Sequence, residues 1–183
     1  MALQLLELHP LLLELEGMAR PDPRRYLDHL LAWASGERSF ASAGREFLER
    51  RDVINAARCF DALDDPPSAN ELLLQIERAW AQHLQSARER IQRCREHRAK
   101  LSNEGIEWPS VGDLDQALVE AENLLSSMPV GGGETLGRQL ARVSPEVLPR
   151  LSDALDLADL ALAEGEEERR RKHREVLDRL RQA

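Results

Sequence analysis

Apolar residues recur every three or four positions along most of this chain, the spacing that places side chains on one face of an α-helix. The longest such stretch covers residues 68–102, which contain neither glycine nor proline. A second stretch of similar length covers residues 145–181. No segment shows the alternation of apolar and polar residues that is typical of a strand. The pattern therefore predicts an all-α fold.

The two long helices are expected to pack against each other in antiparallel directions, if the segment between them turns the chain back. We therefore predict a small N-terminal helical bundle over residues 1–65, followed over residues 66–183 by a long antiparallel coiled-coil helical hairpin. Short helices at about residues 110–143 are expected at the tip of the hairpin. The predicted coiled-coil seam combines the apolar stripes of both long helices, with Leu73, Ile76, Trp80, Ala87, Ile91, Cys94 and Leu101 in the first and Leu151, Leu155, Ala158 and Leu162 in the second.

Charged residues favour the same pairing of the two long helices. The second half of the first helix is basic, with Arg88, Arg90, Arg93, Arg95, Arg98 and Lys100. The start of the second helix is acidic, with Asp153, Asp156 and Asp159. Antiparallel packing would set these regions against each other and would bring residues 169–174 towards Glu71 and Glu77 at the other end. Each exposed ion pair contributes only a few tenths of a kcal/mol, so the charges would select the orientation while the apolar stripe provides the stability.

Proline and glycine divide the rest of the chain into shorter predicted helices. The glycine triplet at residues 131–133 predicts a hinge. The expected helices cover about residues 2–18, 23–35, 39–51, 53–63, 110–128 and 134–143.

Small and aromatic residues follow a defined spacing over residues 40–67. The residues in question are Phe40, Ala43, Gly44, Phe47, Ala56, Phe60, Pro66 and Pro67. This spacing resembles that of one tetratricopeptide repeat, although phenylalanine stands where the family prefers tryptophan and Ala43 stands where it prefers leucine. Neither flank continues the 34-residue period, and a solenoid needs about three repeats. The resemblance therefore implies a single helical hairpin and not a peptide-binding superhelix.

Overall composition narrows the classes of partner. The net charge of −8 argues against a general affinity for nucleic acid or for an anionic membrane, because such binding depends on uncompensated Lys and Arg. Cys59 and Cys94 do not make a disulfide framework, which favours a reducing cytoplasm. The leucine-rich residues 1–17 are interrupted by charged side chains and carry no preceding basic stretch, so they predict neither a signal peptide nor a membrane span.

Groups able to carry out chemistry are few. No histidine has a glutamate three residues before it, and the spacing H-E-x-x-H is absent, so we expect neither a metal site nor a cofactor. Arg78 followed by His83 resembles the motif of helical ribonucleases known as HEPN domains. That resemblance implies a metal-independent ribonuclease in which His83 acts as general acid or base and Arg78 stabilises the charge of the phosphorane.

The leading hypothesis is a non-catalytic protein–protein interaction or scaffold module of a larger complex. It depends on the exposed length of the predicted helices and on the lack of a catalytic constellation in the sequence. The expected partners are proteins, including a second copy of the chain. Two alternatives stay open: the HEPN-like ribonuclease with Arg78 and His83, and a nucleic-acid-binding coiled coil that uses the basic residues from Arg88 to Lys100.

Overall fold

The computed structural model describes residues 39–63 and 66–182, and the helices predicted at residues 2–18 and 23–35 lie outside that part of the chain. The described residues are all-helical and contain no strand, as the apolar pattern predicts. Their six helices are α1 (Phe40–Glu49), α2 (Val53–Asp61), α3 (Pro66–Asn103), α4 (Val111–Ser126), α5 (Gly133–Ala141) and α6 (Val147–Gln182).

Side chains and glycines account for the ends of several helices. Ser39 caps α1, since its hydroxyl accepts a hydrogen bond from the backbone N–H of Ser42 at 3.2 Å while Ser42 Oγ accepts one from the backbone N–H of Ser39 at 3.0 Å. Asp52 caps α2 through a bond from the Asn55 N–H at 3.1 Å. Gly105, with a φ of +66°, follows the end of α3 in the left-handed conformation that glycine adopts without strain.

The described residues fall into two compact units, and the division differs from the predicted boundary at residues 65 and 66. Unit 1 comprises residues 39–63, 66–79 and 131–143, and unit 2 comprises residues 80–130 and 144–182. The long helix α3 therefore contributes residues to both units. The short helix α5, expected at the tip of a hairpin together with α4, belongs to unit 1.

Unit 1 is held together where helices approach at glycine. A Cβ atom at Gly44 would lie 3.2 Å from the Cβ of Cys59 in α2 and 2.5 Å from Leu72 Cδ2 in α3. A Cβ atom at Gly137 of α5 would lie 2.5 Å from the ring of Phe60. The close contact of α1 with α2 at Gly44 is the kind of contact that the tetratricopeptide resemblance implies, and membership of that family stays a prediction.

Unit 2 contains three helical segments: residues 80–103 of α3, the whole of α4 and the whole of α6. Helix α4 runs antiparallel to α3, because Asp115 near its start pairs with Arg98 while Pro129, after its end, accepts a hydrogen bond from the indole of Trp80 at 2.9 Å. Helix α4 also runs antiparallel to α6, in which Arg150 pairs with Glu120 at 3.0 Å. The hydroxyl of Ser110, before the start of α4, donates to Glu164 further along α6.

Helices α3 and α6 run in the same direction, which corrects the antiparallel pairing expected from the sequence. Arg90 and Cys94 contact residues 156 and 159 of α6, and Arg169 contacts Glu104 directly after α3. The partners are 65 to 69 positions apart in every one of these contacts, whereas antiparallel helices would give a separation that shrinks along the pair. The approach of Arg169 to Glu71 and Glu77 is therefore also wrong.

The physical reason is that α4 crosses back along α3 and α6 then reverses direction once more. Two reversals restore the original direction. Charge matching identified a true contact, between Arg90 and the aspartates of α6, but a single contact is compatible with either direction. The loop between α3 and α4 also joins the core, because Ile106 and Trp108 are both 5% exposed.

Candidate functional site

All eleven residues predicted for the seam are buried, with exposed fractions between 0% and 7%. Leu73 and Ile76 lie in unit 1, and the others lie in unit 2. They pack inside the chain, so this stripe is not an available surface for a partner. The surfaces that remain are the charged faces of the helices and the apolar residues exposed on them.

Half of the predicted basic cluster on α3 is neutralised within unit 2. Arg90, Arg95 and Arg98 form ion pairs with acidic residues of α4 and α6. The other three, Arg88, Arg93 and Lys100, are exposed and form no ion pair with any residue in the described ranges. A continuous basic surface for a nucleic-acid backbone is therefore reduced to three separate cations, with Glu89 and Glu96 exposed between them.

Arg90 and Cys94 form a partly buried polar cluster with α6. Arg90 Nη2 donates to Asp156 Oδ1 at 2.7 Å and to Asp159 Oδ2 at 2.5 Å. The Cys94 thiol donates to Asp159 Oδ1 at 3.3 Å. Burial of the thiol, together with its hydrogen bond to the Asp159 carboxylate, raises the pKa of Cys94 to about 11. The thiol is therefore protonated near neutral pH and is a poor nucleophile.

Arg98 and Asp115 form a two-point ion pair between α3 and α4. Arg98 Nε and Nη2 donate to the two carboxylate oxygens of Asp115 at 2.7 and 2.8 Å. The hydrogen bonds from this guanidinium lower the pKa of Asp115 below its usual value. Sequence reasoning did not predict the role of Asp115, because its partner lies on a helix whose register could not be read from the apolar pattern alone.

The residues of the ribonuclease hypothesis occupy different surroundings. Arg78 is exposed and belongs to unit 1, whereas His83 is half-buried and belongs to unit 2. Residues five positions apart on a helix differ by about 140° in direction, so the helix does not aim the two side chains at one point. His83 instead lines a cleft of about 180 Å³ with Arg90, Met128 and Ser152. That volume is below the range of about 300–1,000 Å³ usual for small-molecule sites.

The residues that the structure describes contain no group of three or more His, Cys, Asp or Glu side chains arranged to hold a metal ion. None of the described helices combines the length and the apolar character needed to cross a membrane.

The outer face of α6 is a surface that the core of unit 2 leaves exposed. We use this name for eight exposed residues that follow a heptad spacing of alternating four and three positions: Asp156, Leu160, Ala163, Glu167, Arg170, Arg174, Leu177 and Arg181. Leu160 is 61% exposed and Leu177 is 53% exposed. Leu157 and Leu180 flank the face and are 48% and 70% exposed. Four large apolar side chains are thus in contact with solvent along one helix.

Charge is distributed unevenly along this face. Its first half carries Asp156 and Glu167, and its second half carries Arg170, Arg174 and Arg181. Glu167 and Arg170, at the centre, form no ion pair with any other residue in the described part of unit 2. Every residue from position 173 to position 182 is exposed, so the end of α6 extends past its last contacts with the rest of unit 2, at Glu104 and Gly105.

The apolar stripe that predicted the core did not reveal this second face. The signal that could have found it is the change in sign of the charges at heptad spacing, from acidic before residue 168 to basic after it.

Comparison with known proteins finds no matching family model, no matching curated protein and no matching solved structure. The chemistry of the surface is therefore the basis for assigning a function.

Proposed function

We propose that the protein is a non-catalytic protein–protein interaction module that binds its partners through the outer face of α6. The observation that carries this proposal is the exposure of Leu157, Leu160, Leu177 and Leu180 on one helix, beside Glu167 and Arg170, which form no ion pair in the described part of unit 2. Single exposed apolar residues are ordinary on protein surfaces, but here Leu160 and Leu177 share the outer face and Leu157 and Leu180 lie on its two sides, an arrangement that favours an interaction site. The module would use coiled-coil packing on this face and would act in the cytoplasm, where the buried thiols of Cys59 and Cys94 stay reduced.

The alternatives have weaker support. The ribonuclease hypothesis requires Arg78 and His83 to act on one phosphate, and on α3 the directions of the two side chains differ by about 140°. The nucleic-acid hypothesis requires the basic face of α3, where Arg90, Arg95 and Arg98 already have carboxylate partners. On the outer face of α6, Asp156 and Arg181 also have partners within the chain, but Glu167 and Arg170 form no ion pair with any described residue.

The proposal is tested by affinity capture from an extract of the source cell with the tagged full chain and two variants. Leu177→Asp places a charge on the outer face of α6, and Val119→Asp places the same charge on α4 at a position that is 56% exposed. We expect the wild type and Val119→Asp to capture the same protein in stoichiometric amount. Leu177→Asp should capture at least about tenfold less of that protein. Equal capture by all three chains would show that the outer face is not the binding surface.

A further inference from the structure

The outer face of α6 is complementary to itself when a second α6 helix lies against it in the antiparallel direction. A two-fold axis between residues 168 and 169 would place Leu160 opposite Leu177 and Glu167 opposite Arg170 of the second copy. The same axis places Asp156 opposite Arg181, although each of these residues also has an ion-pair partner in its own chain, Arg90 and Asp178. Each of these pairs joins two positions of the heptad stripe, as the core layers of an antiparallel coiled coil do.

The matching does not depend on the choice of a single pair. These three pairs and the fourth pair of the stripe, Ala163 with Arg174, share one axis and are repeated by symmetry, so every dimer contains two layers of each. At the edge of the stripe, Glu164 would lie near Arg171 of the second copy. A parallel pair would instead place Arg170 and Arg174 against their own copies, and like charges would repel.

We propose that the chain forms a symmetric homodimer through the outer faces of two antiparallel α6 helices. This inference rests on the proposed function, since it names a second copy of the chain as a partner of the same face. The contact is closed by its two-fold symmetry and does not propagate into filaments. The paired length from Asp156 to Arg181 covers 26 residues, which is about 38 Å of helix.

The composition of the contact determines the expected strength. Only the two leucine layers are fully apolar, and the remaining layers contain charged side chains that lose water when they pair. We therefore expect a dissociation constant on the order of 10 µM, which is characteristic of a reversible dimer. Because opposite charges face each other in half of the layers, raising the salt concentration should weaken the dimer.

Sedimentation equilibrium of the purified full chain tests the inference, with charge-reversed variants at the centre of the contact. Arg170→Glu places a glutamate opposite Glu167 of the second copy. Glu167→Arg places an arginine opposite Arg170 of the second copy. Each single variant should weaken dimerisation at least tenfold. The double variant Glu167→Arg with Arg170→Glu restores opposite charges and should return to within about threefold of the wild type. Arg88→Glu, an equal change of charge on the exposed surface of α3, is the matched control and should have little effect.

Disulfide formation tests the direction of the helices. An equimolar mixture of Leu160→Cys and Leu177→Cys chains should give a crosslinked dimer under mild oxidation, while either chain alone should give much less. In the proposed register, two copies of position 160 are about 25 Å apart along the helix, which is far beyond disulfide reach. Cys59 and Cys94 are buried and do not compete.

Three results would overturn the homodimer: a monomer at about 200 µM, equal dimerisation of the single and double reversals, or preferential crosslinking within one variant. A monomer whose capture of a different protein is still abolished by Leu177→Asp would reject the second copy as the partner and leave the proposed function in place. A dimer with no captured protein would support the homodimer and limit the proposed function to self-association.

Discussion

Replacing Gly165 with alanine tests the packing of α6 against the loop that follows α3. Gly165 lies within α6, where alanine is favoured over glycine by about 0.5–1 kcal/mol of helix stability. A Cβ atom at this position would lie 3.0 Å from two ring atoms of Trp108 and 2.8 Å from Leu101 Cδ1. Trp108 is 5% exposed, so its rigid ring has little room to withdraw. Overpacking of this kind costs about 1–3 kcal/mol, so we expect Gly165→Ala to lower the free energy of unfolding by about 1 kcal/mol.

Gly112→Ala is the matched control for this substitution. Gly112 lies in α4, and a Cβ atom there would meet no atom within 4 Å. Alanine then contributes its higher helix propensity without a steric cost. The variant should be more stable than the wild type by up to about 1 kcal/mol. Urea denaturation followed by far-ultraviolet circular dichroism measures both changes.

A double-mutant cycle with Trp108→Ala separates the steric cost from the helix term. With the ring removed, Gly165→Ala should become neutral or stabilising, which corresponds to a coupling of about 1–3 kcal/mol between the two positions. If Gly165→Ala stabilises the wild-type chain as much as Gly112→Ala does, α6 does not approach Trp108 closely, and the packing described for unit 2 is refuted.

Two further measurements test the arrangement of unit 2. Spin labels at Ser102 and Arg170 should give a shorter distance by electron paramagnetic resonance than labels at Ser102 and Asp153. The reason is that α3 and α6 are parallel and residue 153 lies about 25 Å from residue 170 along the axis of α6. A shorter distance from Ser102 to Asp153 would support the antiparallel hairpin instead. Folding raises the pKa of the Cys94 thiol from 9.0 to about 11. The protonated thiol should therefore stabilise the folded chain below pH 9, and this contribution should be lost as the pH rises towards 11. A Cys94→Ala chain should lack this component of the pH dependence of unfolding. Identical alkaline profiles for the two chains would contradict the buried thiol.

Helix boundaries were accessible from the sequence because local residues determine them. The prediction of a helix over residues 68–102 differs by two residues or fewer from α3, Pro66–Asn103. Proline fits the first turn of a helix, and Gly105 after the last turn permits the left-handed conformation that ends it. The second long helix, predicted over residues 145–181, corresponds in the same way to Val147–Gln182.

The direction of the long helices was not accessible, because it depends on contacts between distant residues. Arg90 meets Asp156 and Asp159 as the charges suggested, but that contact alone fits either direction. The deciding contacts are those of Glu104 with Arg169 and of Gly165 with Trp108, near the other end of the pair. Gly165 stands in a charged stretch, which does not indicate that another part of the chain approaches it closely. Glu104 stands in a turn, and several arginines were possible partners for it.

The same separation between local and distant contacts explains why the outer face of α6 was not predicted as a site. Leu160 and Leu177 lie on a stripe whose centre is charged, so the stripe does not satisfy an apolar pattern along its length. The stripe can be recognised as a surface only when the position of the core is known. Leu151, Leu155 and Leu162 are buried in unit 2, and Leu157, Leu160, Leu177 and Leu180 are left exposed. Arg90 and Arg98 have carboxylate partners within the chain, whereas Glu167 and Arg170 would meet opposite charges across the two-fold axis of the proposed dimer. This contrast separates the charges that orient the helices of one chain from those that would orient two chains.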